Sequence, residues 1–309
     1  MENTYKKTIL VLRNDKLSLK DKKRLTLANK VFSLTLTYAF LVLMAIVVIF
    51  PFYWMIITSL KTGSEIKALI PTFWPQVIRW ENYSDALRRL NFGTLLTNTL
   101  VVGIFSTIGT IFTTIFAAFA FARLQFKGRD FMFSLLLATM MIPGEMMVIS
   151  NYISVSLFGM TGGKNLAGAY AAMILPFMIS VFYIYLLRQN FKQIPNELYL
   201  AAKVDGKSDW AFLWKVMVPL AMPTLITIFI LKLMGAWNSY VWPNLIASGN
   251  SSYYLITNGL RNTFNTAANI DDYGIQMAAT VIVTVPLLLL FIFFRKYIMR
   301  GVSRAGIKG

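Results

Sequence analysis

Glu145 and Lys232 are ionisable residues set inside otherwise apolar stretches, and a polar run from Pro195 to Gly206 lies between two further apolar stretches. A charge in hydrocarbon costs about 2.5–3.5 kcal/mol or more, so intramembrane charges mark a cavity, a solute pathway or a partner. The chain has no histidine and no cysteine, which removes the commonest metal ligand, the usual acid–base group and every thiol nucleophile. No catalytic residue, metal site or bound cofactor is therefore expected in this chain. Gly162-Gly163-Lys164-Asn165 is the nearest approach to a phosphate-binding loop. It lacks the earlier glycine and the Ser or Thr after the lysine, so it reads as a plain loop.

These residues need a frame, and the composition says what kind. Of 309 residues, 57% are hydrophobic and only 14% charged, with a mean hydropathy of +0.60; soluble domains carry about 25% charged residues. An all-α integral membrane protein follows. Six apolar stretches are long enough to cross a bilayer, at roughly 31–58, 94–122, 131–154, 165–188, 216–237 and 276–298, since a span takes about 20 helical residues. The segment 1–30 is basic and too long and charged for a cleavable signal. With the N-terminus inside, 22 of the 30 Lys and Arg fall in the cytoplasmic pieces 1–30, 123–130, 188–215 and 295–309. The positive-inside rule thus places both termini in the cytoplasm. The net charge of +17 alternates in density between loops and forms no single patch, which argues against nucleic acid as a partner.

The 189–215 connection carries helix signals. Pro195 suits a first turn, Ala201 and Ala202 favour helix, and Asp205-Gly206 supplies a stop. Ser208 or Asp209 can cap a second helix running through Trp210, Phe212, Leu213 and Trp214 into the fifth span. Ala201 and Ala202 share helical spacing with Leu198 and Asp205, so another backbone could approach closely there. An ordinary amphipathic interfacial helix is the competing reading. Trp237, Asn238 and Tyr240 suit stacking on sugar faces and bonding to hydroxyls, or equally an aromatic belt at the membrane interface. The methionines around 140–147 read as packing, and Phe73, Trp74, Trp80 and Tyr83 read as membrane anchors of a loop.

Glu197-Leu198-Tyr199-Leu200-Ala201-Ala202-Lys203-Val204-Asp205-Gly206, followed nine residues on by Val216-Met217-Val218-Pro219, resembles the coupling-loop motif of binding-protein-dependent ABC importer permeases. Leu187-Arg188-Gln189, Ile142-Pro143-Gly144-Glu145, Trp237-Asn238 with Trp242-Pro243, and the ending Gly301-Val302-Ser303-Arg304-Ala305-Gly306-Ile307-Lys308-Gly309 narrow the resemblance. It is to the six-span permease of carbohydrate-uptake transporters, the counterpart of the second membrane subunit of the maltose system. Leu200 departs from the motif, standing where the family usually carries Glu.

The resemblance implies a type I importer permease fold over 31–298 and a bacterial cytoplasmic-membrane location. It implies a second, homologous permease subunit, two ATPase subunits that bind ATP and Mg, an extracytoplasmic solute-binding protein and a sugar substrate. Glu197, Leu198, Leu200, Ala201, Ala202, Asp205 and Gly206 would meet the ATPase, as would Arg304, Gly306 and Lys308 in the tail 299–309. Glu145, Lys232, Trp237 and Asn238 are the pathway candidates. A non-sugar ABC permease is the nearest alternative, followed by an ATP-independent channel or carrier, which would share the buried charges but lack the coupling loop.

Overall fold

The computed structural model describes residues 2–161, 165–264 and 272–306, with side chains over 30–161, 165–264 and 272–297. Gly162, Gly163, Lys164 and Lys308 lie outside the described residues. All regular structure among them is helical. The chain separates into two units, residues 1–57 and 58–309.

The first unit is most of a single helix, α1 (Glu2–Ser59). The basic segment and the first apolar stretch are thus one uninterrupted element. From Lys30 to Phe52 its side chains are exposed and mostly apolar, with Pro51 inside the helix. An all-round apolar surface of this length suits lipid contact.

The second unit holds the rest: α2 (Gly63–Ile66), α3 (Glu81–Leu90), α4 (Phe92–Ala122), α5 (Arg129–Thr139), α6 (Val148–Leu157), α7 (Leu166–Ile174) and α8 (Val181–Gln193). There follow α9 (Asn196–Val204), α10 (Asp209–Phe212), α11 (Val218–Leu220), α12 (Met222–Asn238), α13 (Val241–Ala247), α14 (Ile256–Phe264) and α15 (Tyr273–Gly306). Among the described residues, three helical stretches are continuous and apolar enough to cross a membrane: Lys30–Ser59, Phe92–Ala122 and Tyr273–Tyr297. The other three expected spans are each broken. Arg129–Thr139 meets Gly144–Leu157 at 87°, Leu166–Phe177 meets Val181–Gln193 at 49°, and Asp209–Leu220 meets Met222–Asn238 at 75°.

Prolines explain the breaks, because each lacks an N–H and crowds the preceding turn: Pro143 in the first, Pro176 in the second, Pro219 and Pro223 beside the third. The third corrects the expectation of a helix running straight from Trp210 into the fifth span. A π-helical turn over Leu213–Met217 leads into α11, and the chain bends at Ala221 before α12. The connection after Asn238 also folds. Its Trp242, Ile246 and Ala247 from α13 and Tyr253 pack with Val102 of α4, Ala169, Ala172 and Met173 of α7, and Val155 of α6.

α4 is the central strut, packed along α8 and α12. Its buried face is largely small: Gly103, Ser106, Thr107, Thr110, Thr114 and Ala118 recur every three or four residues. Membrane helices approach closely through such seams. A Cβ built on Gly103 would meet the Leu233 side chain at 2.8 Å, and one on Gly109 would meet Met178 at 2.2 Å.

Candidate functional site: a polar helix pair and a membrane-level cavity

The polar segment after α8 is a rigid helix pair. α8 ends at Ile194, whose ψ of 128° turns the chain out of the helix as a residue before proline favours. Pro195 then opens α9. At the other end Gly206 adopts φ +69°, the left-handed conformation that ends helices and favours glycine. The Lys207 N–H donates to the Ala202 carbonyl at 2.8 Å and the Gly206 N–H to the Lys203 carbonyl at 3.0 Å, which makes a Schellman stop. Ser208 then caps α10, its Oγ accepting from the Ala211 N–H at 3.2 Å. Of the two caps expected, Ser208 takes the role.

Asp209 does something else. Its Oδ1 accepts from the Tyr199 hydroxyl at 2.7 Å and lies 2.8 Å from the Lys203 ammonium, so one carboxylate ties α9 to α10. The bond to Asp209 holds the Lys203 ammonium above the ordinary lysine range. Burial, aided by the same carboxylate, pushes the Tyr199 phenol up. The Tyr199 ring meets Phe212 edge-on at 5.1 Å, and Phe212, Leu213 and Met217 are buried with Leu187 and Phe191 of α8. Phe116 of α4 stacks on Trp210 at 5.9 Å.

The two alanines divide. Ala202 packs inward beside Tyr199, whereas Glu197, Leu198, Leu200, Ala201, Asp205 and Gly206 face outward. Val204, unremarked in the sequence reading, is 89% exposed. The outward surface thus carries an apolar patch of Leu198, Leu200, Ala201 and Val204, flanked by Glu197 and Asp205 and by the exposed Lys203 and Lys207.

Two arginines brace this pair from below. Arg123, just past α4, donates Nη2 to the Phe191 carbonyl at 2.8 Å and to the Ile194 carbonyl, and Nη1 to Asn196 Oδ1 at 3.2 Å. Arg188 of α8 is 6% exposed. Its Nε donates to the Phe121 carbonyl at 3.0 Å, and its guanidinium lies 3.8 Å over the Phe133 ring of α5. Arg123 escaped the sequence reading, although a cation one residue beyond an apolar span is a signal for helix-end capping.

A cavity of about 250 Å³ opens between α4, α7, α8, α12 and α13, lined among others by Ser106, Phe177, Tyr183, Lys232, Ser239 and Trp242. Lys232 reaches it from α12 and donates to the Phe177 carbonyl at 2.9 Å. Thr110 donates to the same carbonyl at 3.1 Å and Thr113 to the Met178 carbonyl at 2.6 Å. The carbonyls left open where the helix stops before α8 are thereby satisfied from α4 and α12. The Ala172 carbonyl, which loses its partner to Pro176, accepts from Trp242 Nε1–H at 3.0 Å, as membrane-level breaks require.

The other three pathway candidates lie elsewhere. Trp237 is 5% exposed and packs with Leu90, Ile256 and Ala278. Asn238 faces outward and bonds its own helix at the Met234 carbonyl, 3.0 Å. Glu145 sits exposed in a 3-10 turn, Gly144–Met147, at the 87° bend. Among the described residues it makes no ion pair with Lys232. The sequence reading stopped at Lys232 and passed over the hydroxyls and aromatics of α4, α8 and α13 that share its cavity. Arg304 and Gly306 fall on the α15 backbone.

Residues 109–304 match the family described as binding-protein-dependent transport system inner membrane component. The chain belongs to that family. It is a permease, a membrane-embedded, multi-pass transport component and not an enzyme. The chain is 30% identical over 285 residues to the AraQ permease protein of the arabinooligosaccharides transport system of Bacillus subtilis (strain 168), covering 90% of this chain and 97% of that protein. It is 28% identical over 270 residues to the NgcG permease protein of the diacetylchitobiose uptake system of Streptomyces coelicolor, covering 87% of each. Among solved structures, a bacterial ABC transporter involved in the import of the acidic polysaccharide alginate aligns with a TM-score of 0.77 at 22% identity, over 87% of this chain and 97% of that one. The type I permease fold is therefore this chain's fold.

Proposed function

We propose that this permease forms half of the translocation pathway of an ATP-driven importer for a sugar or oligosaccharide in a bacterial cytoplasmic membrane. The observation that carries the reading is the α9–α10 pair, a polar, internally braced element that presents an apolar outer face in a chain otherwise built for lipid. Its relatives bearing arabinooligosaccharide and diacetylchitobiose names support the substrate class. The Lys and Arg distribution supports six crossings, with each bent pair counting as one, and both termini inside.

In the mechanism this implies, each of two ATPase subunits, which hold ATP and Mg, seats a coupling helix, and this chain and a sister permease each supply one. Leu198, Leu200, Ala201, Val204 and Asp205 make the contact here, with Gly206 ending the helix and Glu197 at its start. Ala202 supports from behind. The α15 end, with Arg304 and Gly306, and the tail with Lys308 reach the ATPase pair. A solute-binding protein delivers substrate on the opposite side. ATP binding and the loaded binding protein bias the same two-state equilibrium, so solute access alternates between the faces. Lys232 lines the pathway with Ser106, Tyr183, Ser239 and Trp242, whose hydroxyls and ring faces suit a sugar.

The test is ATP-dependent uptake by the permease pair reconstituted with its ATPase and binding protein, across a panel of oligosaccharides. Accumulation without ATP, or accumulation only of non-sugar solutes, would reject the assignment. A single cysteine at Val204, in a chain with none of its own, should label only from the ATPase side. Ala201→Glu should assemble normally yet lose uptake, because a bulky charge would enter the close contact.

A further inference from the structure

We infer that Arg123 and Arg188 are positioning residues that cap each other's helices and so join the coupling helix to α4 and α5 as one moving body. The inference rests on the coupling reading of α9. Coupling helices need a stiff link to the membrane helices, and the chain has an evident weak point there. Between Gln193 and Asn196 the backbone leaves the helix, with ψ of 128° at Ile194 and 139° at Pro195, and Pro195 has no N–H to offer the last carbonyls of α8. A load on α9 would bend the chain at that point before it moved α8.

Arg123 bridges the weak point. One guanidinium nitrogen holds the carbonyls of Phe191 and Ile194 on the α8 side, and the other holds the Asn196 side chain on the α9 side. Arg123 belongs to neither helix, since it follows α4. Arg188 returns the bond: from the penultimate turn of α8 it caps the Phe121 carbonyl in the last turn of α4. It also covers the Phe133 ring of α5 and lies 3.8 Å from Asp130 at the start of that helix. Each cation therefore sits at the C-terminal, partially negative end of the other's helix. Three acceptors on two sides of a kink call for a planar fork with several donors, which arginine has and lysine lacks. A displacement delivered to α9 is then shared among α8, α4 and α5.

The test uses cysteines at Val204 and Lys127, spin-labelled in the assembled complex with its ATPase, and pulsed-EPR distances without nucleotide and after trapping with ATP and vanadate. The wild type should give one narrow distance that persists between the states while the α9 label loses mobility on the ATPase. Arg123→Met and Arg123→Lys should both broaden it and lower uptake per ATP about tenfold, the scale of a 1–3 kcal/mol coupling energy. Asn196→Ala, which removes only the contact beyond the kink and leaves the Arg123 bonds to α8, should give a partial version at unchanged complex yield. Wild-type distances in Arg123→Lys, or a wild-type distance that shifts on trapping, would overturn the joint-body assignment. An α9 label whose mobility ignores the ATPase would overturn the coupling assignment along with it.

Discussion

Two proline-associated breaks lie at opposite ends of α8, and their freed carbonyls are met in opposite ways. At Phe177 and Met178, level with the membrane cavity, the partners are two threonine hydroxyls and one lysine. At Phe191 and Ile194, beside α9, the partner is one arginine that also reaches across the break. Hydroxyls supply single bonds of modest strength inside hydrocarbon, whereas a guanidinium supplies a charged fork where water is near. The cavity end is built to hold a bend, and the α9 end to resist one.

The comparison breaks most severely at the buried arginine. Arg188→Met leaves the Phe121 carbonyl unpaired and uncovers Phe133, so the detergent-solubilised complex should lose about 1–3 kcal/mol, read as a lower melting temperature and a lower yield. Thr110→Val with Thr113→Val strips hydroxyls from the cavity break, where membrane hydrogen bonds average about 0.6 kcal/mol each. The pair should cost about 1 kcal/mol, and a loss of about 3 kcal/mol or more would mean that these hydroxyls hold the fold as strongly as the buried arginine does. Lys232→Met should leave yield close to wild type while lowering uptake, because the Thr110 bond to Phe177 remains. Unchanged uptake would make Lys232 a fastening of the bend alone.

The smallest effect concerns Lys203 and Asp209. Lys203 has its pKa raised from 10.5, so the tie is complete below that value and fades only as pH climbs through the higher folded-state value. The mobility of a label at Val204 should therefore stay flat from about pH 6 to 9. A transition in that window would point to a different group.

What the sequence made legible follows from range. The helix pair was readable because Pro195, Ala201, Gly206 and Ser208 act on their own neighbours, and each sits in the role its type suggested. The apolar stretches were readable because hydropathy sums along a window. Their bends were legible only in part: a proline inside an apolar stretch marks a break, but the angle depends on what receives the open carbonyls, and Thr110 and Lys232 are far away in sequence. Trp237 and Trp242 show the same limit. Trp237 looked like an interface or sugar-stacking residue and Trp242 stood only in a motif, yet the first fills a core among α3, α14 and α15 while the second edges the cavity. Nothing local to either distinguishes them. Arg123 was missed because its acceptors lie about 70 residues on.

The small-residue face of α4 has a mechanical consequence. Large interdigitated side chains act as ratchet teeth, and two helices so engaged must unlock before one can slide past the other. Along Gly103, Ser106, Thr107, Thr110, Thr114 and Ala118 the teeth are filed down, and the barrier to sliding by part of a turn falls with them. Hydrogen bonds from Thr110, Thr113, Arg123 and Arg188 tie α4 to α8 and the turn before it, so any such freedom is left on the α12 side, where the Leu233 side chain against Gly103 is the tooth that still engages.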